Sequence, residues 1–246
     1  MRAEKKWIAA DWPAPDNVIA GATLRFGGVS TGAFESLNLG AHVSDDKDAV
    51  DENRRRFTSF CELPSEPLWL RQVHGTTVVV DPTAGLVPEA DASITRRSGV
   101  VCAVLTADCL PVLFTSADGA ELAAVHAGWR GLASGVLEAT VEEMSTAPAN
   151  ILAWLGPAIS QPAFEVGGEV REEFLAQDST TDQHFVTNDR GRWQADLYGL
   201  ARMRLTGLGI GHISGRQYCT FGESERFFSY RRDGACGRMA SFVYRR

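Results

Sequence analysis

The feature that most constrains the fold is a series of short, unbroken apolar runs in the middle of the chain. Val100 to Leu105 is continuous, apolar and rich in β-branched residues. That is the pattern of a strand buried on both faces, not of one alternating between core and water. Pro111 is expected to break the run, with Val112-Leu113-Phe114 resuming as a second strand. Leu122 to Val125 reads as a third strand ending at His126, and Ile151 to Leu155 as a fourth, closed by Gly156-Pro157. Leu132, Val136, Thr140 and Met144 recur at helical spacing, with Glu138, Glu142 and Glu143 on the other side. Doubly buried strands interleaved with helices predict an α/β fold.

Elsewhere the pattern is looser. Asp45 to Arg56 reads as a loop running into a short exposed helix, and Gln177 to Gln183 as a surface loop. Asp196 is placed to cap a helix reaching Leu205. Phe227 to Arg231 and Met239 to Tyr244 read as a hairpin around Asp233-Gly234. No linker, repeat or low-complexity tract interrupts the chain, so residues 1–246 are expected to form a single catalytic domain.

A net charge of −7 argues against a nucleic-acid-binding surface. No run approaches the roughly 18–20 apolar residues of a membrane span. The start, Met1-Arg2-Ala3-Glu4-Lys5-Lys6-Trp7, has no apolar segment behind its charges and does not read as a secretory signal. The five cysteines are then expected to be reduced thiols in a cytoplasm. Cys61 and Cys102 read as packing thiols; Cys219 and Cys236 could approach one another.

Three residues carry most of the chemistry. They are His74 in Arg71-Gln72-Val73-His74-Gly75, Cys109 in Thr106-Ala107-Asp108-Cys109-Leu110-Pro111-Val112, and His126 in Ala124-Val125-His126-Ala127-Gly128-Trp129-Arg130-Gly131. Two imidazoles and a thiolate suit zinc, and three protein ligands with a fourth position open describe a catalytic site. Their spacing fits neither a Cys-x-x-Cys nor a His-Glu-x-x-His pattern, so they meet only if several strand ends converge. All three lie at strand ends in this reading, and Gln72 shares a strand face with His74. Asp108 either orients a histidine ligand or caps a turn.

These segments have companions: Gly27-Gly28-Val29-Ser30, Leu37-Asn38-Leu39-Gly40, Gly156-Pro157-Ala158-Ile159 and Phe227-Phe228-Ser229-Tyr230-Arg231-Arg232. Together they resemble the laccase-domain purine nucleoside phosphorylase family, also catalogued as polyphenol oxidases. The resemblance runs from about residue 20 to the C-terminus. It implies mixed central sheets covered by helices in α/β/β/α-type layers, similar to the toxin-deamidase-like cysteine hydrolase fold. It implies phosphorolysis of adenosine, inosine, guanosine and 5′-methylthioadenosine, and hydrolytic deamination of adenosine. The partners are then a small nucleoside and phosphate; the oligomeric state stays open.

On that reading His74, Cys109 and His126 hold Zn2+, and Cys109, Asp108 and His126 are the catalytic candidates. Arg130 stands at a strand-to-helix turn whose amides favour an anion, and its planar fork suits phosphate; alternatively it packs on Trp129. Arg25, close before a Gly-Gly pair, and Arg71 are further phosphate candidates. Asn38 offers an amide to a sugar or base, or forms a turn. Gln72 is a further candidate substrate contact, His42 is placed to line the pocket, and Trp129 and Phe164 stack a base or fill the core. His184 and His212 read as ordinary polar positions.

Three rival readings differ in class. Cu2+ suits the same ligands, but five histidines with no His-x-His pair cannot build the trinuclear cluster of a multicopper oxidase. A hydrolase with Cys109 as nucleophile and His126 as base, for example one editing peptidoglycan precursors, leaves His74 without a role. A non-enzymatic binding module has no use for such a ligand set.

Overall fold

The computed structural model describes residues 6–83, 85–215 and 218–246. The chain runs β1 (Trp7–Ala9), β2 (Val18–Thr23), α1 (Lys47–Phe60), β3 (Val78–Val80), β4 (Ala92–Thr95), β5 (Val101–Thr106), β6 (Leu110–Ser116) and β7 (Leu122–Ala127). It continues through α2 (Trp129–Ser134), α3 (Val136–Glu143), β8 (Ile151–Leu155), β9 (Glu165–Val166), α4 (Gly168–Leu175), β10 (Phe185–Thr187) and β11 (Trp193–Ala195). It closes with α5 (Leu197–Gly207), β12 (His212–Gly215), α6 (Tyr230–Asp233) and β13 (Met239–Arg245).

Two sheets dominate. One has the order β1-β2-β13-β5 and is antiparallel throughout. The other, β12-β8-β6-β7-β4-β3, is mixed: β12–β8 and β3–β4 pair in parallel and the rest antiparallel. Side-chain alternation builds three core layers from these strands. Cys102 and Val104 of β5 meet Leu113, Leu122, Ala124 and Trp154 between the sheets. Val101, Ala103 and Leu105 face the other way, onto Phe57 of α1. Val112, Phe114, Ala123 and Val125 pack under α2, α3 and α5. The result is the α/β/β/α layering that the family resemblance implies, and the continuous apolar runs are strands with covered faces on both sides.

Several expectations need correction. Pro111 does not end a strand. It lies inside β6, where β8 pairs only from Val112 onward, so the missing N–H is tolerated. The break is at Ala107-Asp108-Cys109, where the chain leaves one sheet and enters the other with Asp108 at a φ of 92°. Gly135, at a φ of 95°, divides the expected single helix into α2 and α3. α1 is not a short exposed helix. Asp46 caps it through the Ala49 N–H, and Val50, Asn53 and Phe57 are buried, Phe57 against the sheet and Asn53 bonded into the 29–38 loop.

The C-terminal hairpin is absent because β13 is flanked by β2 and β5, leaving no edge for another strand. Tyr230–Asp233 instead turns once as α6, capped by Ser229 Oγ. His74 also leaves the expected strand: its segment is irregular and its φ is 62°.

Phe57 is fully buried and meets Trp69 and Phe242 ring to ring. Phe57→Ala should therefore destabilise the protein by about 3–5 kcal/mol. Urea unfolding would show this as a lower midpoint with an unchanged slope.

Candidate active site

Strand register brings two of the three donors together. In the β6–β7 pair Pro111 lies opposite His126 and Leu110 opposite Ala127. Cys109, the residue before Leu110, therefore arrives beside the end of β7. His126 shares side-chain parity with Leu122 and Ala124, which face the inter-sheet layer, and projects from the end of that layer.

The third donor comes from the loop at 73–75, and a residue that the sequence did not reveal puts it there. Asp91 precedes β4 and is fully buried. Its carboxylate accepts from the backbone N–H groups of Val73, His74 and Gly75 at 3.2, 2.9 and 2.7 Å. One of its oxygens also lies 2.7 Å from Nδ1 of His126. The Asp91 carbonyl accepts from the His126 N–H at 2.7 Å. One side chain thus orients both histidines and leaves Nε2 of His126 for the site.

The donor atoms of His74, Cys109 and His126 all lie within 4.8 Å of one another. Cys109 Sγ is 3.9 Å from His74 Nε2, and the imidazole rings stand edge to face with centroids 4.8 Å apart. Gly128 closes the space above them. A Cβ there would lie 2.9 Å from His74 Cδ2, 3.2 Å from Cys109 Sγ and 3.5 Å from His126 Cε1. Burial opposes charge on both Cys109 and His126, but the His126 and His74 imidazoles prevail at the thiol, and the thiolate with the Asp91 carboxylate prevails at His126. Cys109 is held down at about 6 and His126 pushed up to about 9.

This donor set fits zinc. A tetrahedral ion with ordinary Zn–N and Zn–S bonds sets its ligands roughly 3.4–3.6 Å apart, so small side-chain adjustments suffice. Orientation of His126 by a carboxylate on its other nitrogen is the usual support for a metal-bound imidazole.

The trio opens into a cavity of about 530 Å³, also lined by Gln72, Asp108, Trp129, Arg130 and Phe164. Gln72 lines it while exchanging two 2.8 Å hydrogen bonds with the backbone of Leu105. His42 belongs to the same lining, and Arg130 lies 4.3 Å above the Trp129 ring. Asp108 makes no bond to a histidine. It accepts from the Thr220 hydroxyl and from the Arg231 N–H, both at 2.6 Å.

Three expected substrate contacts lie outside the cavity lining. Arg25 spends its guanidinium on the carbonyls of Glu35 and Ser224 and stacks on Phe228. Arg71 is exposed and pairs with Glu89. Asn38 is fully buried, bonded to Gly40, Asp45 and the Arg238 N–H. All five cysteines are free thiols, with Cys61 and Cys102 buried as expected. No helix among the described residues is long and apolar enough to cross a membrane.

Comparison with known proteins places this architecture. Residues 19–246 match the family model described as multi-copper polyphenol oxidoreductase laccase. Purine nucleoside phosphorylase YfiH of Escherichia coli is 52% identical over 242 residues, spanning 97% of this chain and 98% of that protein. A purine nucleoside phosphorylase of Haemophilus influenzae is 47% identical over 239 residues, spanning 96% and 98%. Among solved structures, a Neisseria meningitidis protein superposes with a TM-score of 0.95 at 48% identity, covering 98% of this chain and 99% of its own. YlmD of Geobacillus stearothermophilus does so with a TM-score of 0.88 at 31% identity, covering 100% and 98%. The sheet-switching fold, the His-Cys-His trio at its crossing and these full-length matches together establish that the chain belongs to the laccase-type polyphenol oxidoreductase family that includes the YfiH purine nucleoside phosphorylases.

Proposed function

We propose that the protein is a zinc-dependent purine nucleoside phosphorylase. On this reading it acts on adenosine, inosine, guanosine and 5′-methylthioadenosine, and it also deaminates adenosine. The observation that carries this is the His74, Cys109 and His126 trio opening into a cavity, in a chain half-identical to proteins named as phosphorylases. A volume of about 530 Å³ suits a small-molecule site.

His74, Cys109 and His126 hold the ion, which when bound supplies Lewis acidity. Trp129 and Phe164 give the purine aromatic walls. Asp91 fixes the His126 tautomer by accepting from Nδ1. Guanidinium groups in the lining hold phosphate against the ribose, where positioning and charge stabilisation do the chemical work. The protein then works as a cytoplasmic enzyme on soluble nucleosides, without nucleic-acid or membrane partners.

A second reading is favoured by the closeness of the Cys109 and His126 donor atoms, within 4.8 Å, and by the lowered Cys109 thiol: a hydrolase using the thiolate directly, with no metal. Copper in place of zinc would make a one-metal oxidase. Elemental analysis separates all three. The purified protein should carry about one zinc per chain. Cys109→Ser and His126→Ala should each lose nearly all of it, and full retention in both rejects this ligand set.

The reaction has its own test. Adenosine with phosphate should yield adenine and ribose 1-phosphate, while without phosphate only slower formation of inosine should remain. Base release that proceeds equally well without phosphate would make the protein a hydrolase.

Asp91 supplies a further check. Asp91→Ala should weaken zinc binding by about 10–100-fold, measured by competition with a chelating dye, in a chain whose circular dichroism stays native. Unchanged affinity would remove Asp91 from the site.

A further inference from the structure

Many arginines of this acidic chain meet a carboxylate: Arg71 pairs with Glu89, Arg96 with Glu121, Arg204 with Glu138 and Arg226 with Glu223. In the cavity the pattern changes. Arg130, Arg231 and Arg238 all line it, and among the described residues none of them forms an ion pair. The lining contains one carboxylate, Asp108, and both of its oxygens are occupied by Thr220 and the Arg231 N–H.

Two of these arginines are fixed in place. The Arg238 N–H donates to Asn38 Oδ1 at 2.9 Å, and its carbonyl accepts from the Leu39 N–H at 3.1 Å. Nη1 of Arg238 donates to the carbonyls of Cys236 and Gly237 at 2.8 and 3.1 Å. A Cβ on Gly40 would stand 2.8 Å from Arg238 Cγ, so the Leu37-Asn38-Leu39-Gly40 segment is shaped to receive that stem. Arg231 is held at its backbone by Asp108, and its Nη1 donates to the Glu165 carbonyl at 2.7 Å. Its guanidinium lies 5.3 Å from the Phe164 ring centroid. In both residues one nitrogen is tied to main-chain carbonyls. Nε and Nη2 make no hydrogen bond among the described residues, and paired N–H groups of this kind match the oxygens of a tetrahedral anion. Arg130, by contrast, is stacked on Trp129 without such anchoring.

We infer that Arg231 and Arg238 form an anion clamp that holds a phosphate group in the cavity, as inorganic phosphate before reaction and as the sugar 1-phosphate after it. The identity of the anion rests on the phosphorylase reading; the clamp itself rests on the anchored, uncompensated guanidinium pair. Asp108 and Asn38 are then positioning residues, one for each arginine.

Isothermal titration of the zinc-loaded protein tests this, with inorganic phosphate in one arm and ribose 1-phosphate in the other. Arg231→Gln and Arg238→Gln should each weaken both anions by at least about tenfold, the effect of losing a charge-assisted bidentate contact. Arg71→Gln should change neither by more than about twofold, as expected for an exposed ion pair. Zinc content and adenosine binding without phosphate should stay at the level of the unmutated protein. If Arg238→Gln unfolds, Arg238→Lys keeps the charge without the fork and should still lose affinity. Wild-type affinity for both anions in the arginine variants overturns the clamp. A fall confined to ribose 1-phosphate overturns its role for inorganic phosphate. Loss of both anions in an enzyme that releases base without phosphate upholds the clamp and rejects the phosphorylase reading.

Discussion

A single buried carboxylate organises the site. Asp91 has no exposed surface, and an unpaired charge in that position would be strongly unfavourable. Its partners are the His126 imidazole and three consecutive N–H groups of the 73–75 loop. Those bonds offset the cost of holding His74 at a φ of 62°, a backbone region that non-glycine residues seldom occupy. They hold the carboxyl below its usual range although burial pushes the other way. The two histidines, 52 positions apart in sequence, therefore answer to the same group.

The second determinant is the crossing between sheets. β5 belongs to one sheet and β6 to the other, and the three residues joining them include Asp108 and Cys109. A chain changing layers must turn sharply, and the turn brings a thiol to the open end of the inter-sheet core. Cys109 and His126 are thereby mounted on or beside paired strands, which hold geometry better than free loops do. Gly128 completes the enclosure, since a Cβ there would press into the His74 ring and the Cys109 sulfur.

The parts legible in the sequence were those with a local signature. β5, β7 and β8 were visible because strands covered on both faces are apolar without alternation. The trio was visible because imidazole and thiol groups stand out chemically. Asp91 was not, since nothing in Glu89-Ala90-Asp91 marks it. Its meaning comes from lying opposite His126 in the β4–β7 pairing, a matter of register and not of spacing. The aromatic pair Phe227-Phe228 suggested a strand, but both rings fill a corner beside Leu24 and Met239. Arg25 and Arg71 stand out in the sequence as cations near motifs, whereas a sequence cannot say that Arg25 is taken up by backbone carbonyls and Arg71 by a carboxylate. Asn38, read from the sequence as a sugar or base contact or a turn-former, is buried away from the cavity and accepts from the Arg238 N–H across 200 positions.

β13 has a consequence for the order in which the molecule can form. Among the described residues it alone bridges β2 and β5 in its sheet, and its partners on β2 are more than two hundred residues away in sequence. Until it docks, β2 and β5 each present an unsatisfied edge, and Asn38 lacks the N–H it later binds. Closing so long a loop is slow relative to forming local hairpins such as β6–β7. The half of the molecule bearing Cys109 and His126 can therefore be assembled while the other half is still an open template for wrong pairing.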